Sequence, residues 1–187
     1  MQSRPTYDDA NLVLKLYDLR REERLRKARA WFAANFKGIS TIEQFQKLCG
    51  PGTDENASFR MTTTYWDMAA SLVTTGVLNE ALFYESGREL LLVWERAKDY
   101  VAAFRAANHD QTYLRNLEVV GQSFATRYRT GSPDGYDAFA RRVRGYRAPH
   151  ERRRSRRAHP RRARRARRVR RARQRQLRRH AGAARGR

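Results

Sequence analysis

The chain has 187 residues, 40% of them hydrophobic, with 41 Lys plus Arg against 19 Asp plus Glu and a formal net charge of +22. That length suits one ordinary domain plus an appendage, and a body of about 140 residues buries enough surface to need no covalent staple. Cys49, the single cysteine, excludes an internal disulfide; the N-terminus M-Q-S-R-P-T-Y-D-D lacks an apolar signal core; and no uncharged apolar run approaches the roughly 20 residues that cross a bilayer. These features read as a soluble, intracellular, cytoplasmic protein.

Asp8 or Asp9 is expected to cap a long first helix running to about Phe36. Leu12, Leu16 and Leu19 make its first apolar stripe. Five charges, Arg20-Arg21-Glu22-Glu23-Arg24, interrupt the stripe, and Leu25, Ala28, Trp31 and Phe32 resume it at a rotated angle. Glu22–Arg26 and Glu23–Lys27 are i,i+4 pairs in the favourable order. Gly38 ends the helix. Ser40-Thr41-Ile42-Glu43 reads as a capping box for a short helix with Ile42, Phe45 and Leu48 inward, closed by Gly50-Pro51-Gly52.

Residues 58–75 form the stretch around which the body is expected to pack. At about 100° per residue, Phe59, Thr62, Trp66, Ala69 and Val73 share one stripe, with Met61, Tyr65, Met68 and Leu72 beside it. Arg60, Thr63, Thr64, Asp67, Ser71 and Thr74 take the polar half. A helix apolar over half its circumference wedges between at least two others. Asn79 caps a brief turn, and Ser86-Gly87-Arg88-Glu89 offers another capping box. Leu90, Val93, Trp94, Ala97, Tyr100, Val101 and Phe104 lie within an arc of about 120°. Asp110 starts the next helix, with Tyr113, Leu117, Val120, Phe124 and Tyr128 inward. Ser132-Pro133 opens the last, with Tyr136, Phe139, Ala140 and Val143 inward. No alternating β pattern appears, so the body reads as all-α, a five- to six-helix bundle.

The order of these segments resembles a family of small uncharacterised bacterial all-helical proteins. The matching stretches are D-A-N-L-V-L-K-L-Y-D-L-R-R-E-E (Asp9 to Glu23), F-R-M-T-T-T-Y-W-D-M-A-A-S-L-V (Phe59 to Val73) and E-S-G-R-E-L-L-L-V-W (Glu85 to Trp94). The resemblance covers about residues 8–144. It implies a small bacterial helical protein and brings no reaction, ligand or catalytic residue with it. The Arg-rich tail departs from the family pattern.

Motifs that would carry chemistry are missing. A di-metal carboxylate bundle needs Glu-x-x-His on two helices, and the body has one histidine, His109, with Ala106 three residues before it. Zinc-protease, P-loop, dinucleotide and nucleophile-elbow signatures do not occur. His109 reads as a solvated cap, Cys49 as an ordinary small residue, and the three tryptophans, each on an apolar stripe, as core. The acid pairs Glu22/Glu23 and Asp67/Glu80 have no spacing that supports an enzyme. Glu23 draws attention because it falls between Leu16 and Leu19, on the face expected to be buried. The ordinary account pairs it with Arg20, Lys27 or an arginine from another helix. The sharper account is a polar cluster in which Arg20, Glu23 and Asp67 meet an anion or a partner, although Asp67 lies on the polar side of its helix.

The charge is segregated. Residues 1–140 carry 18 basic and 18 acidic side chains, while residues 141–187 carry 23 arginines, no lysine and one acid, Glu151. The period of three in R-R-A-R-R-A-R-R-V-R-R-A-R (161–173) spreads Ala163, Ala166, Val169 and Ala172 around a helix axis, so no packable face results. Disorder is expected for such a segment. Arg152, Arg153, Arg154, Arg161, Arg162, Arg164, Arg165, Arg167, Arg168, Arg170 and Arg171 are candidates for binding nucleic-acid phosphates without sequence preference. Two other readings compete: an extension with little selected role, and a GC-rich gene read out of frame. The lack of lysine, the abrupt boundary and the departure from the family pattern favour the last, and the alternative frames downstream of codon 141 decide it.

The sequence is thus read as a flexible N-terminus (1–7), a helical bundle (8–144) and a disordered basic tail (145–187). The expected role is non-catalytic, a protein-interaction module with an unidentified protein partner, no cofactor, no metal and no membrane. The alternative is non-specific nucleic-acid binding through the tail.

Overall fold

The computed structural model describes residues 4–145. The Arg-rich tail and its candidate nucleic-acid-binding arginines lie outside the described residues, as do residues 1–3. Eight helices and no strand occur among the described residues: α1 (Tyr7–Arg21), α2 (Glu23–Asn35), α3 (Ile42–Cys49), α4 (Asp54–Thr74), α5 (Glu80–Ser86), α6 (Arg88–Asn108), α7 (Arg115–Gly131) and α8 (Pro133–Arg144). The all-α class is as expected, but the count exceeds five or six. The difference arises at two places where a local cap ends one helix and starts another.

The first is the expected long N-terminal helix. Glu22 leaves helical geometry (φ −53°, ψ 139°), and its carboxylate accepts the Leu25 N–H at 2.9 Å, so it caps α2. Five consecutive charges give the chain nothing to bury, and the rotated apolar stripe beyond them faces a different neighbour. The cap of α1 is Thr6 rather than Asp8 or Asp9. Asp9 stands at the third helical position, and its carboxylate accepts the Thr6 N–H at 2.7 Å in a reciprocal capping box. The other Asp9 oxygen accepts the Asn79 N–H at 2.6 Å, which ties the start of α1 to the start of α5.

The second place is the Asn79 turn, which is a helix of two turns, α5, capped by the Asn79 side chain on Leu82 N–H at 3.0 Å. A single residue, Gly87, joins it to α6. A Cβ there would lie 2.8 Å from the Phe83 ring, so only glycine allows the junction to close. Ser86 therefore belongs to α5, and among the described residues no side chain caps α6. In the turn between α6 and α7, Asp110 accepts from the Thr112 N–H and hydroxyl, and α7 begins only at Arg115.

Helix α4 is central, packing most extensively on α2 and α7 and also on α3 and α6. Its buried residues are Phe59, Thr62, Thr63, Tyr65, Trp66, Ala69 and Ala70. The buried arc is rotated from expectation: Thr63 is inside, while Met61 and Met68 are exposed. A helix clasped on two sides buries small residues where neighbours come close. Phe32, Phe36, Phe45, Phe59 and Tyr100, from α2, the loop after it, α3, α4 and α6, form one aromatic core, with Phe45 stacked on Tyr100 at 4.1 Å between centroids. On the other side of the bundle α7 meets α6 through Gly121, which lies against the Trp94 indole.

Candidate functional site

Two charged groups are held among the apolar layers, and no sequence motif pairs their members. In the first, α6 carries Glu95 and Arg96 inward. The Glu95 side chain is 0% exposed. It accepts from the Tyr136 hydroxyl at 2.7 Å and from Arg144 Nε and Nη2 at 2.8 and 2.6 Å, and it pairs with Lys98 at 3.1 Å. Burial by itself raises the Glu95 pKa; the Tyr136, Arg144 and Lys98 interactions more than offset it, and the net shift is downward from 4.5. Arg96 donates to the carbonyls of Phe32 (3.0 Å), Ala33 (2.6 Å) and Val143 (2.9 Å), satisfying the last turns of α2 and α8. This group is saturated with partners and locks three helices together.

The second group sits where α1, α2, α4 and α6 converge. Arg29 donates from Nε to one oxygen of Glu89 at 2.6 Å and from Nη2 to the other, a bidentate pair, while its Nη1 reaches the Arg20 carbonyl at 2.9 Å. Among the described residues Arg20 has one ion pair, at 3.8 Å, with the same Glu89 carboxylate. Its guanidinium carbon lies 5.1 Å from the Tyr17 ring centre and 5.8 Å from that of Trp66. Tyr65 donates its hydroxyl to the Leu16 carbonyl at 2.6 Å, and burial pushes its pKa up to about 12.

Beside this group lies a cavity of about 280 Å³ between α1, α4 and the α5–α6 junction. Val13, Leu16, Tyr65, Trp66 and Phe83 give it apolar walls, and Arg20 is the charged residue in its lining. Leu14 and Tyr17 of α1 complete it and remain exposed on their outer sides.

The expected cluster of Arg20, Glu23 and Asp67 is not brought together. Glu23 stands in solvent, its side chain 65% exposed, and pairs with Lys27 at 2.7 Å. The break at Glu22 re-aims α2, so the helical angle that placed Glu23 between Leu16 and Leu19 does not apply. Asp67 accepts the Leu117 N–H at 2.8 Å and caps the first turn of α7. Only Arg20 of the three reaches the cavity. The acid pairs diverge as well: Glu22 caps Leu25, and Glu80 accepts from the hydroxyls of Tyr84 and Ser123. His109 is an exposed residue in left-handed conformation at the end of α6, and Cys49 is buried. Trp66 and Trp94 are core, whereas Trp31 is partly buried. Among the described residues no three His, Cys, Asp or Glu side chains gather as a metal would require, and no helix is long and apolar enough to cross a membrane.

Arg29 and Glu89 are 60 residues apart, so no motif could have paired them. Glu95 and Arg96 left a trace: Leu90, Leu91, Leu92, Val93 and Trp94 are apolar around the whole helix, which implies burial on most faces and draws the next two residues in with them.

Together these features define an all-helical domain with a buried ionic brace and an apolar, arginine-lined cavity. Residues 5–123, more than half of the chain, match the family described as a domain of unknown function, DUF4760, and the chain belongs to that family. The match ends within α7, so α8, with Tyr136 and Arg144, lies beyond it. No curated protein and no solved structure matches the chain.

Proposed function

We propose that this chain is a non-catalytic helical module that docks the apolar face of a partner protein's helix against α1. The supporting observation is the exposure of Tyr7, Leu14 and Tyr17, at 87%, 62% and 48%. At 100° per residue these fall within one quadrant of α1, with Ala10 between them, as a stripe about 15 Å long. Large apolar side chains aligned on one face mark an interaction site rather than scattered surface. The carboxylates that would be needed for acid–base work each have a separate structural partner, which further supports a binding role. The reading places the protein in the cytoplasm, where a lone buried thiol such as Cys49 stays reduced.

Photo-crosslinking in the producing cell from position 14 tests this, with position 122 on the exposed side of α7 as control. A crosslinked species specific to position 14, and lost when Tyr17→Glu is added, is the expected result. Equal crosslinking from both positions, or no effect of Tyr17→Glu, refutes it.

The segregation of 23 arginines into residues 141–187 favours a second role, non-specific binding of nucleic acid by that segment. Filter binding of the full chain and of residues 1–145 against salt tests it. Affinity that vanishes on truncation and falls steeply with salt is expected; equal binding by residues 1–145 alone overturns it.

A further inference from the structure

Arg20 is a partly buried charge with few partners among the described residues. Its side chain is only 18% exposed, yet none of its guanidinium N–H groups makes a hydrogen bond among the described residues. Glu89, its ion-pair partner at 3.8 Å, has both oxygens engaged by Arg29. Two guanidinium groups therefore share one carboxylate, and the set carries one surplus positive charge in a partly buried setting. A planar cation with five donors and stacked aromatic neighbours is complementary to a carboxylate, which takes two parallel N–H bonds.

The space beside Arg20 fixes the remainder of the ligand. The walls are Val13, Leu16, Tyr65, Trp66 and Phe83. Tyr65 has its hydroxyl committed to Leu16, so it presents its ring. Trp66 is 2% exposed and contributes to the same wall; its Nε1 is buried and has no hydrogen-bond partner among the described residues. A volume of about 280 Å³, at about 30 Å³ per water-sized group, admits roughly ten non-hydrogen atoms. Ser86 and Gly87 complete the lining at the α5–α6 junction, and apolar walls with a few polar groups are how small-ligand sites are built.

We propose that this cavity binds a small monocarboxylate with an apolar chain or ring of about eight carbons, its carboxylate on Arg20 and its hydrocarbon against Trp66 and Phe83. The site shares Leu14 and Tyr17 with the α1 stripe, but it needs no partner protein, so ligand binding by the purified chain is read apart from crosslinking to a partner. The arginines of residues 141–187 attract any anion, and the test has to separate that from the cavity.

The experiment titrates the purified full chain with octanoate, octanol, octylamine and acetate, following tryptophan fluorescence and heat of binding. Octanoate is expected to saturate below about 1 mM, with acetate, which has the charge but no hydrocarbon, binding far more weakly. Arg20→Met should weaken octanoate at least about tenfold, the loss of a charge-assisted pair, and leave octanol unchanged. Val13→Phe, which fills the space without touching a charge, should weaken octanoate and octanol alike. Arg29 retains Glu89 in the Arg20→Met protein, so its helical circular dichroism is expected to match the parent. Octylamine binding as well as octanoate, acetate competing with octanoate on equal terms, or octanoate affinity unmoved by Arg20→Met overturns the proposal.

Discussion

Replacing Glu95 by glutamine removes one charge from the centre of the ionic brace and keeps the side chain's shape. In the parent, the carboxylate is 0% exposed and holds Tyr136, both donors of Arg144, and Lys98. Tyr136 and Arg144 sit on different carboxylate oxygens, and glutamine has only one: if that oxygen still accepts from Tyr136, the amide NH2 faces Arg144 and its two hydrogen bonds are lost. Breaking a buried pair by removing one partner costs about 3–5 kcal/mol. Arg144 is a quarter exposed and regains some water, so the low end, about 3 kcal/mol, is the expected loss at neutral pH. For a body of about 140 residues that lowers Tm by roughly 12 °C. The sign with pH follows from the direction of the shift. The folded pKa of Glu95 lies below 4.5, so its stabilisation is fully present above that pH. It is lost as pH falls through the depressed folded value. The Tm gap between parent and Glu95→Gln should therefore hold from pH 5 to 7 and narrow in acid. Adding Arg144→Met to Glu95→Gln removes the orphaned cation and should recover part of the loss. Thermal unfolding followed by far-UV circular dichroism reads all three proteins. A Tm drop under about 4 °C at pH 7, or a gap that widens in acid, refutes the reasoning.

Three further outcomes are expected. Gly121→Ala places a Cβ 2.6 Å from Trp94 Cδ1, so α6 and α7 must separate; the loss is about 2–3 kcal/mol in denaturant melts, and a neutral result would mean the contact is loose. Thr62→Val removes a buried hydroxyl with no partner among the described residues and should leave Tm unchanged or raise it by a few degrees; a clear drop would reveal a hydrogen bond at Thr62. The Cys49 thiol is buried, and burial, with a smaller contribution from Glu55, pushes its pKa up to about 11. It should react with an aromatic disulfide reagent at pH 8 only after unfolding, and equal rates in the native and denatured protein would contradict that.

The sequence by itself determined what depends on period and on local chemistry. Helical spacing placed Phe59, Trp66 and Ala69 inside, and likewise Leu90, Val93 and Tyr100, because burial follows the 3.6-residue repeat. The proline opening α8 was legible because its conformation is fixed before anything packs. The break at Glu22 was half legible, since the apolar stripe rotates across the five charges, but a rotated stripe does not say whether the helix bends or ends. Only the tertiary structure decided which charges meet. Arg29 with Glu89, Arg96 with the carbonyls of Phe32 and Val143, and Asp67 with Leu117 join residues far apart in the chain. A charge pairs with whatever the packing of helices brings within about 3 Å, and no repeat along the chain encodes that distance. The cavity beside Arg20 belongs to the same class, because it is the space left where α1, α4 and the α5–α6 junction meet.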